Sequence, residues 1–482
     1  MFDVRPAIYV IGLLVVALGG TMVLPMMMDV YDGNGHWWVF ALSGLLSIIA
    51  GGSVALACAN SNTGGLTIQQ TFILTTGVWV VLPVFGALPF WIGATDARLV
   101  DGFFEAMSAL TTTGSTVFSE LSIKPRGILL WRGLMQWFGG IGIIVVAMVF
   151  LPVLRVGGMH LFRTEGFDTM GKILPQAAQI AKSIWSIYLG LTVACIVAYS
   201  LSGLGLFDAL VHAMTTIATG GFANYDTSFA QLGAGAEYVA VVFMLAAALP
   251  FVRYVQLMNG SAAPLFADSQ IRVFFMFVVS VILILFLWHW AFVSSDLERS
   301  FRKSLFNGVS ILTGTGYASD NYGRWGDFPV TLFFMIGLIG GCAGSTTCSI
   351  KVFRFQLLFA SISAQIRRLH SPNGVFTPKY NKRSVPADVM SSVMAFFMFF
   401  LLSLAVLSVA LGMTGLDTIT SISGAATALA NVGPGLGTEI GPAGNFGGLN
   451  DTAKWLLALG MLMGRLELMA VFVLFTANFW RS

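Results

Sequence analysis

The chain has 482 residues, 56% of them hydrophobic and only 10% charged, with a mean hydropathy of +0.83 and a formal net charge of +3. A soluble surface needs roughly a quarter charged residues, so this composition excludes an ordinary water-soluble fold and makes lipid the solvent. The four cysteines (Cys58, Cys195, Cys342, Cys348) sit in apolar stretches, which supports neither a disulfide framework nor a paired Cys-x-x-Cys zinc site, and the five histidines are scattered without a pattern suggesting a metal or catalytic centre.

Ten apolar segments approach the ~20 residues that a bilayer crossing needs. They fall at 7 to 28, 37 to 58, 70 to 93, 130 to 154, 183 to 203, 237 to 258, 273 to 295, 328 to 353, 389 to 413 and 455 to 480. The first is charge-free from Pro6 to Met28, too long for a cleaved signal, and is expected to remain as a helix. Basic residues follow the fourth span (Arg155, Arg163, Lys172, Lys182) and the eighth (Arg367, Arg368, Lys379, Lys382, Arg383), which by the positive-inside rule places both loops in the cytoplasm. An even count then puts both termini in the cytoplasm and the stretches 94 to 129, 204 to 236, 296 to 327 and 414 to 454 outside.

Each outer stretch holds a semi-apolar segment too short to cross and ending in glycine, the pattern of a re-entrant helix with a non-helical return. The segments repeat. Residues 104 to 114 read FEAMSALTTTG and 306 to 316 read FNGVSILTGTG in the same register; 211 to 221 read VHAMTTIATGG and 423 to 433 read SGAATALANVG. Four copies, each flanked by two spans, predict an all-α membrane protein in which four helix, pore-loop, helix units surround one axis. The division is two leading helices at 1 to 66, then units at 67 to 165, 166 to 262, 263 to 370 and 371 to 482.

A cation crossing a membrane exchanges water for oxygen ligands, and rings of backbone carbonyls supply these without buried anionic side chains. The candidate ligand turns are Thr112, Thr113 and Gly114; Thr219, Gly220 and Gly221; Gly314, Thr315 and Gly316; and Asn431, Val432 and Gly433. Glycine there permits φ > 0, and each preceding helix would aim its partly negative carboxyl end at the ion. Asp101, Glu105 and Asp208 are expected at or near the outer helix starts, complementing the opposite pole. The alternative is that these glycines only pack helices.

Motifs along nearly the whole chain resemble one family. TTTGS at 111 to 115, QWFGGIGI at 136 to 143, GGCAGST at 340 to 346, NVGPGLG at 431 to 437 and GRLEL at 464 to 468 are similar to those of the Trk type of bacterial potassium-uptake membrane subunits, within the Trk, Ktr and HKT superfamily. The resemblance implies four non-identical pore repeats with potassium in the filter, a homodimer with one pore per subunit, and a bacterial plasma-membrane location. It also implies a cytoplasmic ring of nucleotide-binding subunits responding to adenine nucleotides or NAD. This chain has no GxGxxG opening a helix after a strand, so the nucleotide would sit on the partner, with no cofactor in the chain itself; no nucleic acid is expected.

Gly340, Gly341, Gly344, Ser345 and Thr346 interrupt the eighth span and resemble the family's intramembrane gating loop, with Thr347, Cys348 and Ser349 following where many relatives have further glycines. Arg465 and Glu467 interrupt the last span, and ionisable groups there are functional candidates by default; Arg465 is expected to bond loop carbonyls and repel cations as part of the gate. Lys351 and Arg354 are expected to snorkel to the cytoplasmic interface. Two other functions fit less of the sequence: a potassium symporter coupled to protons or sodium, which would also use broken helices, and a membrane-embedded enzyme, which would need convergent acid, base or cofactor groups.

Overall fold

The computed structural model describes residues 3–60, 66–146, 177–381, 383–466 and 468–481. The expected cytoplasmic residues Arg155, Arg163, Lys172 and Lys382, the end of the fourth span, His160 and Glu467 lie outside them. Among the described residues, seven helices are long and apolar enough to cross a bilayer: Arg5–Tyr31, Trp37–Cys58, Ile68–Ile92, Arg126–Val145, Ala181–Leu201, Ser269–Phe292 and Ala387–Met413. Their starts follow local chemistry. Pro6 opens the first, Thr67 and Gln70 form a reciprocal capping box before Ile68, and the Asp268 carboxylate accepts from Gln270 N–H at the start of Ser269–Phe292.

The leading pair packs backbone to backbone through glycines. A Cβ on Gly12 would lie 2.8 Å from Gly51 O, and one on Gly19 would lie 2.8 Å from Gly44 O. In lipid, where no hydrophobic force separates helices from solvent, such close approach is a main source of adhesion. These glycines therefore serve close helix packing.

The three remaining predicted spans are not continuous helices. The sixth bends by 88° between Ala234–Ala247 and Phe251–Met258. Pro250 has no N–H to continue the ladder and its ring opposes the preceding turn. The eighth stops after Asp327–Gly337, runs without helix from 338 to 351, and resumes as Val352–His370. The tenth ends as a helix at Asp451–Arg465 and turns at Leu468, whose φ is 40°, before Met469–Leu474.

Between the long helices stand four short ones, Leu99–Leu110, Leu206–Ile217, Leu297–Leu312 and Thr418–Ala430, of 12, 12, 16 and 13 residues. At 1.5 Å per residue they rise about 18 to 24 Å, short of a ~30 Å hydrocarbon core. Asp101 and Asp208 occupy first turns as expected. Glu105 does not: it is fully buried in mid-helix.

Charge pairs tie neighbouring repeats together. Lys454, fully buried on the last long helix, donates to Asp101 at 2.6 Å and to Gly447 O at 2.9 Å, joining repeat four to repeat one. Lys303 and Arg302 on the third short helix both reach Glu237, at 2.7 and 2.8 Å, joining repeat three to repeat two. Removing one partner of such a pair strands the other charge away from water, which costs about 3–5 kcal/mol. The expected snorkelling is not observed. Arg354 is 1% exposed with its guanidinium 3.8 Å from the Phe396 ring centroid, and Lys351 turns back onto Thr347 of the loop.

Candidate functional site

All four short helices end in the same way. The N–H of Thr113 donates to Ser108 O (2.9 Å), Gly220 to Thr215 O (2.9 Å), Thr315 to Ser310 O (2.9 Å) and Val432 to Thr427 O (3.1 Å). This is the six-to-one closure of a helix terminus, and it places the residue before each in the left-handed region. Thr112, Thr219, Gly314 and Asn431 have φ of 52°, 50°, 69° and 51°. Glycine and asparagine accept that conformation readily; a β-branched threonine does so only under strain of about 1–2 kcal/mol. Two residues on, the chain is left-handed again, with φ of 86° at Gly114, 79° at Gly221, 81° at Gly316 and 100° at Gly433.

The central N–H of each turn is consumed by the helix end, and the central carbonyls lie against glycines of the neighbouring repeats in a closed cycle. A Cβ on Gly114 would lie 2.3 Å from Gly220 O, on Gly221 1.9 Å from Thr315 O, on Gly316 1.9 Å from Val432 O, and on Gly433 2.9 Å from Thr113 O. Repeat one thus touches two, two touches three, three touches four and four returns to one. All four glycines line a single cavity of about 390 Å³, which also has Asp226 and Glu439 on its wall. The twelve residues expected as ligand turns therefore meet in one place, with four helix carboxyl ends converging on them and carrying about half a negative charge each.

The helices behind the turns explain the recurring glycine motifs. A Cβ on Gly139 would lie 1.9 Å from Leu110 O, and one on Gly464 would lie 2.2 Å from Leu429 O, so these positions let long helices press against the ends of short helices one and four. Several supporting residues were not singled out by sequence. Arg132, 1% exposed, bonds Glu105 at 2.7 Å, Ala223 O at 3.1 Å and Thr116 Oγ1 at 3.2 Å, linking the first short helix to two return strands. Gln136 bonds Gly220 O and Phe222 N. Both lie within the fourth apolar span, and a charged or amide side chain inside a span was the available signal.

Beneath the turns lies the segment 338 to 351. It is anchored on three sides. On the bent sixth span, Cys342 N–H donates to Ala248 O (3.0 Å), Thr346 Oγ1 to Ala247 O (3.1 Å), and Phe251 N–H back to Gly344 O (2.9 Å). Ala343 N–H donates to Gln270 Oε1 (3.0 Å), and Ser349 N–H donates to Ala430 O (3.0 Å), the carbonyl just before Asn431. Ser345 Oγ satisfies Cys342 O within the loop at 2.6 Å. A Cβ on Gly340 would lie 1.9 Å from Cys348 O, and Gly344 has φ of 74°, so both glycines are demanded by the loop path.

Arg465 is 2% exposed, and no carboxylate among the described residues pairs with it. Its guanidinium does not bond the freed loop carbonyls that were expected. It donates instead to the Cys348 thiol and to Gly139 O at 2.9 Å, and lies 5.5 Å from the Trp79 ring centroid. Cys348 Sγ is in turn 3.7 Å from Thr112 Oγ1. The structure therefore brings Gly340, Gly341, Gly344, Ser345, Thr346 and Arg465 together directly below the four turns, with Cys348 as the contact.

Comparison with known proteins gives a consistent result. The family model described as TrkH, cation transport protein, matches residues 36–482. The chain is 43% identical over 482 residues to the Trk system potassium uptake protein TrkI of Halomonas elongata, covering 99% of this chain and 97% of that one. It is 36% identical over 480 residues to the Trk system potassium uptake protein TrkH of Escherichia coli, with 98% of each covered. Among solved structures, the crystal structure of the potassium transporter TrkH from Vibrio parahaemolyticus superimposes with a TM-score of 0.92 at 34% identity, covering 100% of both chains.

Proposed function

The chain belongs to the TrkH family of cation transport proteins, and on that premise we propose that it is the ion-translocating subunit of a potassium uptake system in a bacterial inner membrane. The observation that supports this best is the closed cycle in which each central carbonyl meets a glycine of the adjacent repeat. Potassium, as the transported substrate, sheds water against Thr113, Gly220, Thr315 and Val432 carbonyls, helped by the four helix ends. Asp226 and Glu439 on the vestibule wall raise the local cation concentration before entry.

The test is a flux measurement on purified protein in proteoliposomes. A current that reverses at the potassium equilibrium potential, indifferent to imposed proton or sodium gradients, is the expected result. Reversal that shifts with either gradient would show obligatory coupling and replace this reading with a symporter.

The regulatory part of the reading rests on charge. Both termini lie in the cytoplasm, two copies assemble with one pore each, and a cytoplasmic nucleotide-binding ring docks beneath. The segment from Lys351 to Ala387 has seven Lys or Arg and no acidic residue, and Arg367, Arg368, Lys379 and Arg383 are exposed. Reversing Arg367 and Arg368 to Glu should weaken partner affinity roughly tenfold at low salt and flatten its salt dependence. Unchanged affinity and unchanged salt dependence would leave these residues to membrane topology alone.

A further inference from the structure

The four turns share a path but not a means of support. In repeats one and three the central residue is a threonine held by the hydroxyl two residues earlier: Thr111 Oγ1 to Thr113 Oγ1 at 2.7 Å, and Thr313 Oγ1 to Thr315 Oγ1 at 2.8 Å. Repeat four has Ala430 and Val432 at these positions and uses Asn431 instead, whose Nδ2 donates to Thr113 Oγ1 (2.8 Å) and Met461 O (2.9 Å). Repeat two has Ala218 and Gly220, with no hydroxyl, and Thr219 Oγ1 donates only to the adjacent Ala218 O.

What holds repeat two comes from outside it. Gln136, fully buried on the helix Arg126–Val145, donates from Nε2 to Gly220 O at 2.6 Å and accepts at Oε1 from Phe222 N–H at 3.1 Å. One amide so clamps both sides of Gly221, and only this orientation of the amide satisfies both partners. Among the described residues, Gly220 O is the one central carbonyl of the four that accepts a hydrogen bond. It is also the one flanked by two glycines, Gly220 and Gly221, between which a peptide plane can rotate with little steric resistance.

We propose that Gln136 is a positioning residue for cation preference: it fixes the Gly220–Gly221 peptide plane and so keeps the Gly220 carbonyl in its place against Gly114 in the cycle of four. This rests on the reading of the four turns as the selectivity filter. Without the amide, one of four ligands leaves the ring part of the time, and a site defined by ligand number loses its preference.

Two variants of similar size separate positioning from packing. Gln136→Met fills the space and makes neither bond. Gln136→Glu keeps the acceptor for Phe222 N–H but sets a carboxylate oxygen against Gly220 O. Both should lower the potassium-to-sodium permeability ratio, from bi-ionic reversal potentials in proteoliposomes, by roughly fivefold, with Gln136→Glu at least as low as Gln136→Met. Wild-type ratios in well-folded variants would overturn the proposal. So would failure of both to fold, which would assign Gln136 to stability; if only Gln136→Glu accumulates, its ratio decides alone. Gly114→Ser, run in parallel, tells the two readings apart. If it changes the ratio and the Gln136 variants do not, this inference fails and the filter stands; if it also leaves the ratio unchanged, the filter reading itself is lost.

Discussion

Gly316→Ser is expected to abolish most of the preference for potassium over sodium while leaving a protein that inserts in the membrane. Serine brings a Cβ that would lie 1.9 Å from Val432 O and 2.9 Å from Pro434 Cδ, on a residue with φ of 81°. Neither neighbour is the end of a flexible side chain, so the backbone of repeat four must shift. The left-handed conformation adds about 1–2 kcal/mol of strain that glycine does not carry. A carbonyl displaced from the ring changes the site energy for potassium and sodium unequally, and a difference of about 1.4 kcal/mol is already tenfold in permeability ratio.

The geometry also grades the series. The spaces facing Gly221 and Gly316 are tightest at 1.9 Å, Gly114 is intermediate at 2.3 Å, and Gly433 has 2.9 Å. Serine should therefore be most damaging at 221 and 316, less at 114 and least at 433, in bi-ionic reversal potentials on purified variants. A folded Gly316→Ser protein with the wild-type ratio would remove that glycine from the filter. An inverted order, with Gly433→Ser the worst, would show that something other than carbonyl displacement sets the preference.

The repeat of short glycine-ended segments is visible in sequence because helix termination is local chemistry. Six residues from Ser108 to Thr113 contain the whole hydrogen-bonded closure, and the same spacing recurs three times. The long helices are legible for a similar reason, since length and hydropathy belong to a single segment. What holds the repeats together is not local. Asp101 and Lys454 are 353 residues apart, and nothing around either residue announces the other. Glu105 shows the limit in one residue: its sign suits a helix start, but the partner that puts it in mid-helix is Arg132, 27 residues on. The bend of the sixth span was available in principle, because Pro250 stands inside it; hydropathy averages over that proline and reports one continuous crossing. Hydropathy likewise assigned Arg354 to the interface, where only tertiary structure supplies the aromatic face of Phe396.

Shortening the intramembrane loop is expected to raise basal flux about tenfold or more without the cytoplasmic partner, on the reading that the loop closes the pore below the turns. Deleting residues 343 to 346 removes the anchors on the bent span through Gly344 O and Thr346 Oγ1, together with the Gln270 contact, and leaves the Ser349 bond to Ala430 O in place. The distinction matters because Ala430 O ends the fourth short helix; disturbing it would carry the effect into the turn at Asn431 and confuse gating with selectivity. Arg465→Ala should act in the same direction and more weakly. Its guanidinium fixes the loop at one point, the Cys348 thiol, and the fourth span at another, Gly139 O, while contributing a positive charge that opposes cation passage. With that contact gone the loop keeps its bonds to Ala247, Ala248 and Phe251, so it opens more often without being lost. In both variants the permeability ratio should stay at the wild-type value, because the central carbonyls and their glycine contacts are untouched. Basal and regulated flux unchanged in both folded variants would make the segment packing and place the gate elsewhere, and a changed ratio with unchanged flux would make the loop a support of the filter rather than a gate.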